Sequence, residues 1–226
     1  MDRVCRRLVA ARCAASKAVM LALVAVASCA CGRTSKGPPG GAAIARLVLP
    51  ERVPEGVPLP PAELRLTLDS ATVMSGSTSG LMLEFSARPD GGPAYRVAVD
   101  IPSCSRFAVH EVGRDRYEAR TAPLPLAITM EDYRDARSKF DAPLRPGVAI
   151  DQDWVADGTH QGWRTVRSTN VRIDLRSFAV TGDRLSARMT VDADLDYGGE
   201  EHATPARNVS LEIDVRDAPL ELTLVD

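Results

Sequence analysis

The chain has 226 residues, with 28 Lys+Arg against 30 Asp+Glu, 45% hydrophobic residues and 4% aromatic residues. That length suits one domain or two small ones with a real core, and the composition excludes wholesale disorder and a polytopic membrane protein. The first 28 residues carry Arg3, Arg6, Arg7, Arg12 and Lys17 against Asp2 alone. The remainder therefore holds 23 cations against 29 anions, a net −6 that lacks the electrostatic footprint of a nucleic-acid binder.

Residues 1–17 form a basic leader, and residues 18–28 form an uncharged, mostly apolar run. The run is shorter than the roughly 20 residues that span a bilayer and matches the apolar stretch of a secretory signal. It ends in Val26-Ala27-Ser28-Cys29. These residues resemble the lipobox of bacterial lipoprotein signal peptides: an aliphatic residue, two small residues, then the cysteine. The resemblance covers residues 1 to about 31. It implies that a diacylglycerol joins the Cys29 thiol, that cleavage follows Ser28, and that the new amino group is acylated. Two acyl chains anchor a protein stably without a spanning helix, at about 0.8 kcal/mol per buried methylene. The plainer alternative is an ordinary secretory signal cut nearby, or an uncleaved anchor. Ala30 is not the Asp that retains such lipoproteins in the inner membrane, so the resemblance implies a cell-envelope location, at the outer membrane if the host is Gram-negative.

Residues 32–43 read as a Gly/Pro-rich flexible tether. Prolines crowd the stretch from Pro38 to Pro61, which predicts an extended chain to about residue 62, with an edge strand at Ile44–Leu49. The expected organisation is a signal peptide over 1–28, the lipidated cysteine and tether over 29–43, and a single β-rich domain over 44–226. After cleavage only Cys31 and Cys104 keep free thiols. Cys104, in Pro-Ser-Cys-Ser, reads as a small turn residue rather than a nucleophile or half of a disulfide.

Period-2 alternation dominates the rest. Leu64, Leu66 and Leu68 share a face, as do Leu81, Leu83 and Phe85, then Tyr95, Val97, Val99 and Ile101. Val171, Ile173 and Leu175 repeat the pattern, followed by the odd-numbered residues from Leu185 to Leu195, by Val209 to Val215, and by Leu220, Leu222 and Leu224. Polar residues between them, such as Arg65, Arg172, Asp174 and Asp192, point the other way. This predicts a mostly β fold, an antiparallel β-sandwich with one buried and one wet face. One short helix is predicted over about 130–140, started by Thr129 and Asp132 in a near capping box, with Tyr133, Ala136 and Phe140 on one side. Residues 64–73 also align without gaps to 171–180, sharing Arg, Leu, Ser and Val. This fits an internal repeat of two related β hairpins in one sandwich, or two tandem sandwiches, and the short second half favours one.

Candidate chemistry is sparse. Asp192, Asp194 and Asp196 open like a calcium-binding EF-hand loop, but Tyr197 stands where that loop needs Gly and Ala203 where it needs Glu. A charged strand face that blocks edge pairing is the favoured reading, with no metal. The segment from Asp151 to Trp163 packs Trp154, His160 and Trp163 together and, as an exposed loop, would offer rigid recognition area. The competing reading has both tryptophans cap one end of the sandwich. No nucleophile elbow, phosphate loop, dinucleotide fingerprint or His-Glu-x-x-His motif is present, so neither a catalytic residue nor a cofactor is expected. The sequence therefore predicts a lipid-anchored binding or assembly module whose partner is an envelope protein, a glycan or a lipid. A hydrolase whose site forms only in the fold, or a structural spacer, is the alternative.

Overall fold

Alternation sends every second residue of each strand to a common interior, and the architecture follows from how those strands are ordered. The computed structural model describes residues 40–48, 60–76, 78–90, 92–156, 159–164, 167–196 and 208–225. The fold is mostly antiparallel β. The strands are β1 (Gly40–Val48), β2 (Glu63–Gly76), β3 (Gly80–Ala87), β4 (Ala94–Pro102), β5 (Phe107–Gly113), β6 (Arg116–Thr121) and β7 (Leu126–Thr129). After a 3₁₀ turn at Met130–Tyr133 come β8 (Gly147–Ala156), β9 (Thr159–Arg164), β10 (Arg167–Thr181), β11 (Arg184–Asp196), β12 (Asn208–Pro219) and β13 (Glu221–Val225).

One sheet runs in the order β7-β10-β11-β12-β1-β2-β3-β4-β8-β9, every neighbour antiparallel, with β13 added parallel to β2. The sheet curls on itself. The Val148 backbone N–H in β8 donates to Ser168 Oγ in β10 at 2.8 Å, joining strands from opposite halves of the order. Leu83, Val97 and Ile150 from one half and Ile173, Val191 and Leu211 from the other are all buried in one continuous core. The β5–β6 hairpin closes one end of it: Phe107 packs edge-on against Phe178 at 5.3 Å, and the Tyr117 N–H donates to the Gly182 carbonyl.

Three expectations are corrected. The strand expected at an edge, β1, lies between β12 and β2, and it reaches back to Gly40, into the run read as tether. Pairing with β12, opposite Arg216 and Val215, outweighs the weak strand propensity of Gly40 and Gly41. The helix expected over 130–140 is a single 3₁₀ turn that ends at Tyr133. Its start was legible, since the Thr129 N–H donates to Asp132 Oδ2 at 2.8 Å. It does not continue because the backbone folds back on itself: the Ser138 N–H donates to the Ala142 carbonyl at 2.8 Å and the Leu144 N–H to the Ala136 carbonyl at 3.1 Å, bonds no helix makes. Phe140 is consequently exposed rather than packed.

The two segments with similar sequence occupy corresponding places. Residues 64–73 lie in β2 of the β2–β3 hairpin and residues 171–180 in β10 of the β10–β11 hairpin. Each strand carries a β-bulge at the aligned point, between Leu68 and Ser70 and between Leu175 and Ser177.

Candidate functional site

β12 pairs with β1 as far as Arg216 opposite Gly40, where β1 begins. Beyond that point the edge of β2 is open, and the chain steps onto it as β13, with Glu221 to Val225 opposite Thr72 to Gly76. The step is fixed by buried Ala218 and Leu220 and by the Leu220 N–H donating to the Asp183 carbonyl at 2.8 Å. Among the described residues the outer edge of β13 pairs with nothing. Leu222 lies opposite the core residue Val73 yet is 37% exposed, and Leu224 is 74% exposed. An unpaired backbone edge carrying two exposed leucines is the surface a partner strand seeks. Carboxylates crowd its start. Burial first, then Glu111, Asp115, Asp183 and Glu221, push the Tyr117 hydroxyl above its ordinary pKa.

A second polar locus lies at the end of β4. Tyr133 reaches from the 3₁₀ turn and donates its hydroxyl to the Pro102 carbonyl at 2.7 Å. Burial, the adjacent Cys104 thiol and the Asp100 and Asp132 carboxylates raise its pKa. Asp100, between Met82 and Gly147 in register, has a buried Oδ1 with no hydrogen-bond partner, and burial pushes its pKa up to about 6. Replacing Tyr133 by Phe strands the Pro102 carbonyl, and chemical denaturation should show a loss of about 1 kcal/mol. Inside the core, Tyr95 lies opposite Gln152; burial alone raises the Tyr95 pKa to about 12.

The residues singled out from sequence do not converge. Cys29 and Cys31 fall outside the described residues. Cys104 carries a free thiol in a turn bridged to Phe107, as its sequence context predicts. Asp194 accepts the side-chain amides of Asn170 (2.6 Å) and Asn208, so both its oxygens are engaged. Asp192 lies opposite Arg172, whose guanidinium grips Asp174 through two bonds of 2.9 Å. Asp196 stands opposite Arg167, and among the described residues no group of three acids, histidines or cysteines is placed to hold a metal. The segment expected as an exposed loop is the paired hairpin β8–β9, with Trp163 opposite Gln152, Gln161 opposite Trp154 and His160 opposite Val155.

The strand at Leu220, Leu222 and Leu224 was legible, but not that Leu222 and Leu224 stand exposed, because they alternate as a buried strand does; only Pro219, just before them, marks the change of partner. No protein-family model, curated protein or solved structure matches the chain.

Proposed function

We propose that this chain is a lipid-anchored envelope protein whose β domain is a binding or assembly module, and that it takes a partner protein by strand addition at β13. The anchor rests on Val26-Ala27-Ser28-Cys29. The module rests on one observation, the open edge of β13 with Leu222 and Leu224 exposed. Backbone hydrogen bonds supply affinity in this mode, and alternate side chains supply selectivity. The fitting partner presents an apolar strand flanked by cations, matching the leucines and the carboxylates around Tyr117. A glycan calls for exposed polar and aromatic contacts, and Leu222 and Leu224 do not provide them. The hydrolase alternative has less support: Asp100, whose pKa burial pushes up to about 6, has its Oδ1 shielded from water.

Two measurements test the proposal. Intact mass of the native product should show a diacylglyceryl modification at position 29, and Cys29→Ser should move the protein from the detergent phase to the aqueous phase. A photo-crosslinking residue at Leu224 should capture one discrete species in native envelopes, while the same residue at Arg65, on the wet face, captures none. An unmodified thiol, or equal capture at both positions, would overturn the corresponding half.

A further inference from the structure

β12 and β13 run in the same direction but in different columns of the sheet, β12 beside β11 and β13 shifted sideways onto β2. The shift starts at a bulge. Val215 faces Ala187 and Ala218 faces Leu185, so Arg216 and Asp217 share the single place opposite Ser186, and both are exposed. Asp217 holds φ +50°. A non-glycine residue keeps that conformation only where its surroundings impose it. Here the Asp217 N–H donates to Ser186 Oγ at 3.0 Å, and its carbonyl accepts from Arg184 Nη1 at 3.3 Å. The crossing has no slack, since β12 ends at Pro219 and β13 begins at Glu221.

The chain beyond the bulge is a small terminal unit. Ala218 and Leu220 are its buried anchors, the Leu220 N–H bonds the Asp183 carbonyl, and Glu221 to Val225 pair with β2. That ladder is five residues long and parallel, the slightly weaker kind of pairing per residue. Leu224 stays largely exposed on it, whereas Thr72, Val73 and Met74 on the β2 side are buried. β1 covers β2 only as far as Thr67, opposite Ala42. The acceptor edge is therefore built into the core, and its occupant is lightly held.

We infer that residues 218–225 are exchanged between two copies of this chain, each copy laying its β13 on the β2 of the other about a two-fold axis. An exchanged terminal element regains in its partner the contacts it makes at home, so the closed and exchanged forms differ at the hinge and in the cost of association. The hinge favours exchange. Straightening Asp217 to an extended φ removes the left-handed residue and lets β12 run on past the end of its own sheet. A short hinge under strain is the arrangement that invites swapping. β13 meets β2 through the same edge in both forms, so the inference does not depend on the partner proposed for its outer edge.

Ser75 and Leu224 stand opposite each other in the β13–β2 register, and neighbouring strands are close enough for a disulfide. In the Cys29→Ser background, full chains carrying Ser75→Cys are mixed with full chains carrying Leu224→Cys and oxidised. A cross-link between positions 75 and 224 then joins two different chains only if β13 has been exchanged, and peptide mass mapping separates it from links through native thiols. It should form, and its yield should grow with protein concentration. Light scattering of the chains without added cysteines reads the same equilibrium. Asp217→Gly, which holds φ > 0 without a Cβ contact, should weaken the dimer about tenfold. Asp217→Val, whose β-branched side chain rejects that conformation, should strengthen it by at least as much. Asp115→Gly, at φ +54° in the β5–β6 turn, should leave it unchanged. Absence of the 75–224 cross-link at every concentration overturns the inference, as does a dimer that Asp217→Gly does not weaken. So does a dimer linked only between the two copies of position 224, which would set two β13 outer edges side by side.

Discussion

Gly80→Ala should cost on the order of 4 kcal/mol, a large share of the roughly 5–15 kcal/mol that holds an ordinary domain folded. Gly80 opens β3 at φ +155°, a backbone conformation that L side chains rarely adopt. A Cβ there would sit 2.4 Å from the Ile101 carbonyl oxygen and 2.6 Å from Pro102 Cα. Both are backbone atoms, and neither strand is free to retreat. Gly80 is paired with Met74 on one side and Pro102 on the other, and the Ser103 N–H donates to the Ser79 carbonyl at 2.7 Å. The substitution therefore adds dihedral strain of about 1–3 kcal/mol to an overpacking cost of about 1–3 kcal/mol. Gly113→Ala is the control, because a Cβ at Gly113 meets nothing within 4 Å. It should stay within about 0.5 kcal/mol of wild type. Urea denaturation of the two variants checks both values. A loss under about 1 kcal/mol at Gly80 would mean that β3 and β4 part easily at this end.

The alternation along Leu185, Ala187, Met189, Val191, Ala193 and Leu195 was sufficient to place β11 and its buried face, because a strand's inward residues are a local property of period two. Its neighbours are not local. β1 was misplaced at an edge because its partner β12 lies some 170 residues downstream, and no residue near Ile44 encodes that pairing. The same limit explains Leu222 and Leu224. Their pattern equals that of Leu64 and Leu66, and only the absence of a covering layer at the end of the sheet, among the described residues, distinguishes them. The error over 130–140 was of another kind: the Thr129 and Asp132 start signal is local, whereas the turn that replaces the helix is closed by backbone bonds from Ser138 to Ala142 and from Leu144 to Ala136.

Asp100→Asn should abolish the pH dependence of stability that Asp100 imposes. Its carboxyl titrates at about 6 in the fold because burial penalises the charged form, against an ordinary 3.8. The folded chain therefore holds a proton between those two values that the unfolded chain has released. Folding is favoured while that proton is bound, so this contribution is complete below about pH 4 and is lost as pH rises through about 6. The gap corresponds to about 3 kcal/mol, at 1.36 kcal/mol per pH unit. Asparagine carries no proton to lose. The difference in unfolding free energy, Asn variant minus wild type, should rise by about that amount between pH 4 and pH 8 and level off above pH 7. Its absolute value at pH 8 should be smaller, about 0–2 kcal/mol in favour of the variant, because the new amide is buried without an acceptor and costs about 1–3 kcal/mol. Taking the difference between two proteins cancels the titration of every other acid, including Asp214, which the Arg216 hydrogen bond chiefly holds below its ordinary range. The Tyr133→Phe background sharpens the test. If Tyr133 is what excludes water from Asp100, removing its hydroxyl while keeping its ring should leave the slope unchanged, whereas Tyr133→Ala should flatten it. A slope that is already flat in the wild-type pair would mean that water reaches the Asp100 carboxylate.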